Sequence, residues 1–169
     1  MGDESNVVNE RTDPPQTVTP RVQRLLDSEK EVLGAGGCCI RLAGLYSLER
    51  GAHNFWIQKG TVSNSKYGLV NQLHYDDAAS ICVAALAKGP DLTRGQVFIA
   101  SDGNPMTRQD ICRSALRAKL YQNYSIPKFE DGCDVSRPHG KVYDGSWTNQ
   151  ALDWKPKYES FMTFMKLHE

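Results

Sequence analysis

The sequence predicts an α/β fold, and two observations carry that prediction. Stretches with one apolar stripe at helical spacing, residues 20–33 and 76–88, alternate with short, largely apolar runs at 38–43 and 95–100. Those runs are too short for helices and lack the in-out alternation of a half-exposed strand, so they read as buried strands of a parallel sheet. Helices and strands taking turns along a chain are the pattern of a parallel sheet with helices on its faces.

Residues 1–19 form a polar lead-in with Pro14 and Pro15 and no periodicity, expected to be a loop over a neighbouring unit or disordered without one. Residues 20–169 are expected to make up the folded part. The helix over 20–33 carries Val22, Leu25, Leu26, Glu29, Val32 and Leu33 on one stripe, with Thr19 as N-cap and Gly34 as the stop. After the glycine-rich run 34–37 comes the strand at 38–43, and then a short helix over 51–59 with Phe55, Trp56 and Ile57 as its apolar surface. In the helix over 76–88, Ala78, Ala79, Cys82, Ala85 and Leu86 are expected to line the buried face, while Asp76 and Asp77 suit the positive end of the helix dipole. A strand at 95–100 through Val97, Phe98 and Ile99 precedes Thr107, which caps a helix running through Ile111, Ala115 and Leu116, with Asp110 at the capping-box position. Residues 121–145, rich in Pro, Gly, Asp and Ser, read as an irregular excursion. Closing helices are expected over 149–154 and 158–167, the second presenting Tyr158, Phe161, Met162 and Met165.

Charge and cysteine usage exclude several classes of function. Twenty basic residues balance twenty acidic ones, which gives no electrostatic footing for nucleic acid or an anionic membrane. Trp147, Trp154, Phe161 and Phe164 therefore read as core or closure residues rather than a stacking platform. No apolar run has bilayer length, and the acidic, proline-bearing start does not have the pattern of a signal or transit peptide, so a soluble intracellular protein of the cytoplasm or an organelle stroma is expected. Five cysteines, an odd number with no Cys-x-x-Cys spacing, argue against a disulfide framework or a zinc site. Cys82 and Cys112 are expected as small buried thiols. No His, Cys or carboxylate spacing points to a metal.

The order of several short motifs goes further. Arg41, Gly44 and Tyr46 match the Arg-x-x-Gly-x-Tyr turn that ends a late strand in extended short-chain dehydrogenase/reductases, the NAD-dependent epimerase/dehydratase family. His74, Asp76 and Asp77 match its later helix start. Further matches lie at Gly2-Asp3, Val8, Glu10 and Pro14-Pro15, at residues 101–107 and at residues 152–158. The chain thus resembles the C-terminal half of an atypical member, over nearly its whole length. That resemblance implies a partial Rossmann-like sheet with flanking helices and a small substrate-side lobe. It implies NAD(P) as cofactor in intact members, with none expected on this chain alone. The family's glycine-rich phosphate turn joins a strand to a helix, whereas residues 34–37 join a helix to a strand. Its Tyr-x-x-x-Lys pair places an ammonium beside a phenol one helical turn away. Counting back from Glu29, which resembles the family's glutamate after that lysine, those positions hold Arg21 and Leu25. The literal Tyr124 to Lys128 match contains Pro127 and reads as a loop, so no catalytic residue is assigned. The chain also departs from the family's Tyr-Gly-Pro, with Ser47 and Leu48 after Tyr46.

The resemblance assigns Arg41, Gly44 and Tyr46 to the cofactor; where the chain departs from the family pattern, Arg50, His53 and Asn54 form a polar cluster suited to an anionic or hydroxylated substrate, and Asn71 and His74 are expected beside it. Each has a structural alternative. Arg41 could pair with Asp76 or Asp77 and tie the turn to the helix, and Gly44 could serve backbone geometry rather than ligand approach. Arg50, His53 and Asn54 could be a solvated loop, and His74 a hydrogen-bonded group before a helix. Three functions remain open at this point: a remnant without turnover, an active oxidoreductase or epimerase on a nucleotide sugar if the natural chain is longer, and a binding or scaffold module that pairs with another Rossmann chain. A parallel sheet cut at this point would expose an edge, so the missing half or a second copy is the expected partner.

Overall fold

The structure is a computed structural model and describes residues 7–13, 18–130 and 138–169. Strand β1 (Val7–Val8) precedes helix α1 (Pro20–Gly34), strands β2 (Cys39–Leu42) and β3 (Gly44–Tyr46), and helix α2 (Ala52–Lys59). Short strands β4 (Thr61–Val62), β5 (Leu69–Val70) and β6 (Gln72–His74) lead into helix α3 (Tyr75–Lys88) and the single turn α4 (Pro90–Thr93). Strands β7 (Val97–Ala100) and β8 (Met106–Thr107), helix α5 (Arg108–Ala115), strands β9 (Lys128–Phe129) and β10 (Val142–Tyr143), and helices α6 (Ser146–Leu152) and α7 (Phe161–Lys166) complete it. This is the mixed α/β architecture the sequence predicts.

Two parallel ladders form its centre. β2 pairs with β7, Arg41 opposite Ile99, and β3 pairs with β6, Tyr46 opposite His74. Between them the chain changes partner: Ala43 N–H donates to Ala100 O, and Gly44 N–H to Asn71 O. A Cβ on Gly44 would stand 3.2 Å from Asn71 O, so glycine allows the close approach at this switch. One core packs α3 and α6 on the ladders through Leu73, Ile81, Ala85, Phe98 and Leu152. A second joins α2, α5 and α7 through Tyr46, Ile57, Ile111, Phe161 and Met165.

Capping chemistry sets the helix starts where the sequence places them. Thr19 Oγ1 accepts from Val22 N–H, and Thr107 Oγ1 from Asp110 N–H. The glycine-rich run after α1 is a helix-to-strand connection, with Ala35 as the cap and Gly36 at φ 80°. Three expectations need correction. The buried face of α3 is Asp77, Ala78, Ile81 and Ala85, whereas Ala79, Cys82 and Leu86 are exposed. The carboxylate of Asp77 is held inward by the N–H groups of Lys157 and Tyr158, which turns the stripe by about one residue. Cys112 is buried as expected, but Cys82 is not; Cys133 lies outside the described residues. In α7 Met162 is exposed and Phe164 takes the inward place.

Part of the lead-in is built into the fold. β1 pairs in parallel with β10, and Glu10 accepts from the N–H and hydroxyl of Thr148. Gly2-Asp3 and Pro14-Pro15 lie outside the described residues. Among the described residues no helix is long and apolar enough to cross a membrane, and no group of His, Cys, Asp and Glu could hold a metal ion.

Candidate functional site

The residues assigned from sequence divide into three places. Arg41 and Gly44 lie at the carboxyl end of β2, beside the point where the chain changes sheet partner, the position at which open α/β sheets bind ligands. A groove of about 380 Å³ opens there between the lead-in, α1 and β10, with Leu25, Glu29, Arg41, Ile99 and Tyr143 among its walls. Arg41 donates from Nε and Nη2 to the two carboxylate oxygens of Glu29, both at 2.7 Å. Its acid partner is therefore Glu29 on α1, not Asp76 or Asp77. The fork holds α1 on the sheet and raises the guanidinium's already high pKa, chiefly through that hydrogen bond.

Tyr46, His53 and His74 come together, but inside the second core. Tyr46 has no exposed surface, and its ring lies 5.0 Å from Phe161 and 5.3 Å from His74. Burial, followed by the nearby Asp102 carboxylate, pushes its hydroxyl far above the ordinary range. His53 is equally enclosed, 4.9 Å from Phe161, and its Nε2–H donates to Leu48 O at 3.1 Å. Burial lowers its pKa to about 4, so the ring stays neutral. The solvated-loop alternative therefore fails for His53. His74 accepts from Asp76 N–H at 3.1 Å through Nδ1 and caps α3, and burial lowers its pKa despite Asp76 and Asp77.

The remaining three have structural partners. Asn71 uses both ends of its amide on β10, donating to Lys141 O and accepting from Tyr143 N–H. Asn54 Oδ1 accepts from Gln58 and from the Tyr121 hydroxyl. Arg50 is exposed and lies over the Tyr75 ring. Of the side chains assigned to the cofactor, Arg41 is engaged by Glu29 and Tyr46 is enclosed.

Sequence reasoning missed two sites. A polar cleft of about 380 Å³ is lined by Ser63, Ser65, Arg108, Glu130 and His139. Gly68 makes room there, since a Cβ would collide with Arg108 Nη1; burial lowers the Arg108 pKa. The second is Asp102, just beyond β7. Its Oδ1 accepts from Asn104 N–H, while Oδ2 has no partner. Tyr46 Oη and Gln72 Oε1 are likewise buried without one. Burial raises the Asp102 carboxyl to about 7. An isolated Ser-Asp-Gly in a sequence reads as a turn, and carries no signal of that enclosure.

No protein-family model and no curated protein matches the sequence. Solved structures do match in shape. The fold covers 98% of this chain and 61% of a functionally unknown conserved protein from Silicibacter pomeroyi, at 21% identity and TM-score 0.74. It covers 98% of this chain and 53% of the UDP-glucuronic acid 4-epimerase of Bacillus cereus, solved with NAD, at 17% identity and TM-score 0.73. For the dTDP-glucose 4,6-dehydratase of Bacillus anthracis, also solved with NAD, the values are 96%, 55%, 14% and 0.71. The chain has an α/β fold similar to that of NAD-dependent epimerases and dehydratases, and it spans little more than half the length of those solved chains.

Proposed function

We propose that this chain is the substrate-side half of an NAD(P)-dependent epimerase, dehydratase or reductase-like protein, without turnover of its own. The observation that carries the reading is the surface of α1. Where the family resemblance calls for a catalytic tyrosine and lysine, α1 presents Arg21 and Leu25. Leu25 is 61% exposed and lines the groove, and Glu29 one turn on is bound to Arg41. An alkyl side chain has no charge with which to lower the pKa of a phenol, and Arg21 stays protonated, so the proton-transfer pair has no equivalent here. The polar cleft at Arg108, Ser63 and Ser65 supports a hydroxylated or anionic ligand, because a guanidinium and hydroxyls recognise such groups by charge-assisted hydrogen bonds.

The reading is tested by turnover. The purified chain would be incubated with NAD⁺ or NADP⁺ and with UDP-glucose or dTDP-glucose, with products separated by chromatography and nicotinamide absorbance followed. No product above the protein-free control is expected. Epimerised, dehydrated or oxidised sugar would overturn the proposal. A second reading, a non-enzymatic module that pairs with another Rossmann chain, is favoured by the unpaired outer edge of β2 among the described residues.

A further inference from the structure

Two buried carboxylates hold one short stretch of chain, residues 157–161, which leads into α7. Asp77, in the first turn of α3, is 1% exposed and accepts from Lys157 N–H at 2.7 Å and from Tyr158 N–H at 3.2 Å. Asp102, just beyond β7, is almost as deeply buried, and its carboxylate faces the N–H of Phe161, the first residue of α7. Asn104 ties the loop of Asp102 to the same stretch, donating from Nδ2 to Glu159 O at 2.7 Å. The helix that follows encloses three side chains assigned to ligands from the sequence. Phe161 lies 5.0 Å from the Tyr46 ring and 4.9 Å from His53, and Phe164 lies 4.7 Å from His74.

The two acids tolerate charge differently. Both oxygens of Asp77 accept from amides, which favours its anion. Asp102 leaves Oδ2 without a partner, so its anion would be buried, partly unsatisfied and close to the like charge of Asp77. Among the described residues no cation offsets this. The Tyr46 hydroxyl beside it stays protonated, and burial disfavours the charged form of His74. Lys157 lies over the Tyr158 ring, His168 packs on Phe164, and Asp76 and Glu159 are exposed acids. Asp102 is itself fixed to the sheet, since its N–H donates to Gln72 O at 2.8 Å. An ionised Asp102 therefore reaches water by displacing what lies against it, the stretch 157–161 and α7.

We propose that residues 157–166 form a proton-linked cover, which leaves Tyr46, His53 and His74 as one unit and whose leaving is coupled to loss of the Asp102 proton. The open form is a minor state, because it uncovers Phe161, Phe164 and Met165, and it belongs to the local openings that proteins undergo short of global unfolding. In the open form Asp102 meets water and ionises as an ordinary carboxylate. Between pH 5 and pH 7 each unit of pH therefore multiplies the open population by up to about ten. The cover is tight in acid and looser at neutrality. It requires neither cofactor nor substrate, so it stands or falls separately from the function proposed above.

The test is hydrogen exchange of the purified chain, followed amide by amide by NMR between pH 5 and pH 7, with two variants. Phe164 and Leu167, whose amides are bonded within the cover, should be less protected than Ala43 and Ile99 in the sheet by about tenfold or more. Their protection should also fall by up to about tenfold per pH unit. Asp102→Asn cannot ionise and should abolish that fall. Asn104→Ala removes the bond to Glu159 O and keeps the acid, so it should lower protection in the cover by one factor at every pH and leave the fall in place; it decides the matter if the asparagine variant fails to fold. Equal protection in cover and sheet, a fall that persists in folded Asp102→Asn, or an Asn104→Ala protein with an unchanged cover would each overturn the proposal.

Discussion

Replacing Asp102 with asparagine should remove a contribution to stability that is lost as pH rises. Asp102 is 5% exposed and leaves Oδ2 without a partner. Burial, reinforced by Asp77, raises its carboxyl from 3.8 to about 7, against the opposing hydrogen bonds from the N–H groups of Asn104 and Phe161. In the unfolded chain the group ionises near its ordinary value, so between pH 4 and pH 7 the folded state holds one more proton than the unfolded state. Linkage then makes stability fall with rising pH, at about 1.4 kcal/mol per unit. The loss is complete above pH 7 and amounts to roughly 4 kcal/mol over the whole interval. Asparagine keeps the Oδ1 acceptor for Asn104 and replaces the unpartnered oxygen with a neutral NH₂ group. Urea unfolding of both proteins between pH 4.5 and pH 8 measures the effect. The wild-type free energy should decline across this range relative to Asp102→Asn, and the variant should be the more stable of the two at pH 8. Parallel profiles would refute the reasoning, because they would mean that the carboxylate ionises in place without penalty.

The Glu29 and Arg41 pair gives a second prediction. Glu29→Ala leaves a partly buried guanidinium without its carboxylate and should lower the unfolding free energy by about 1–2 kcal/mol at neutral pH, read from the urea midpoint. His53 gives a third. Its folded value of about 4 lies below its ordinary 6.5, so the unfolded state binds protons first and stability is lost as pH falls from about 6.5 towards 4. In NMR its ring resonances should stay those of a neutral imidazole down to about pH 5, and a midpoint near 6.5 would contradict the enclosed position.

The parts of this fold legible in the sequence were those set by local chemistry. Thr19 and Thr107 cap helices because a hydroxyl beside free N–H groups acts over three residues. The apolar run that becomes β7 is a mostly buried strand for a reason equally local, having no polar face to turn outward, whereas the run that becomes β2 carries Arg41 and is only partly buried, with Leu42 exposed. The site was less legible, since its partners are set by tertiary contact. Arg41 lies twelve residues from Glu29, and nothing in their spacing distinguishes Glu29 from Asp76 or Asp77 as a partner. Asp77 reads as an acid for a helix dipole, yet it binds two amides some eighty residues away. His53 sits in a polar stretch between Arg50 and Asn54, and its enclosure comes from Phe161 and Tyr121, which arrive from the other end of the chain. Asp102 and Arg108 were missed for the same reason: burial of a charged group leaves no mark on its neighbours in sequence.

The most direct test of the central claim is calorimetry of NAD⁺ and NADP⁺ binding to the folded 169-residue chain. The account predicts no binding in the micromolar range, because the helix and turn assigned to the cofactor present Leu25, an engaged Arg41 and an enclosed Tyr46. Micromolar binding of either nucleotide by the folded chain would contradict it, and would mean that these residues assemble a cofactor site of their own.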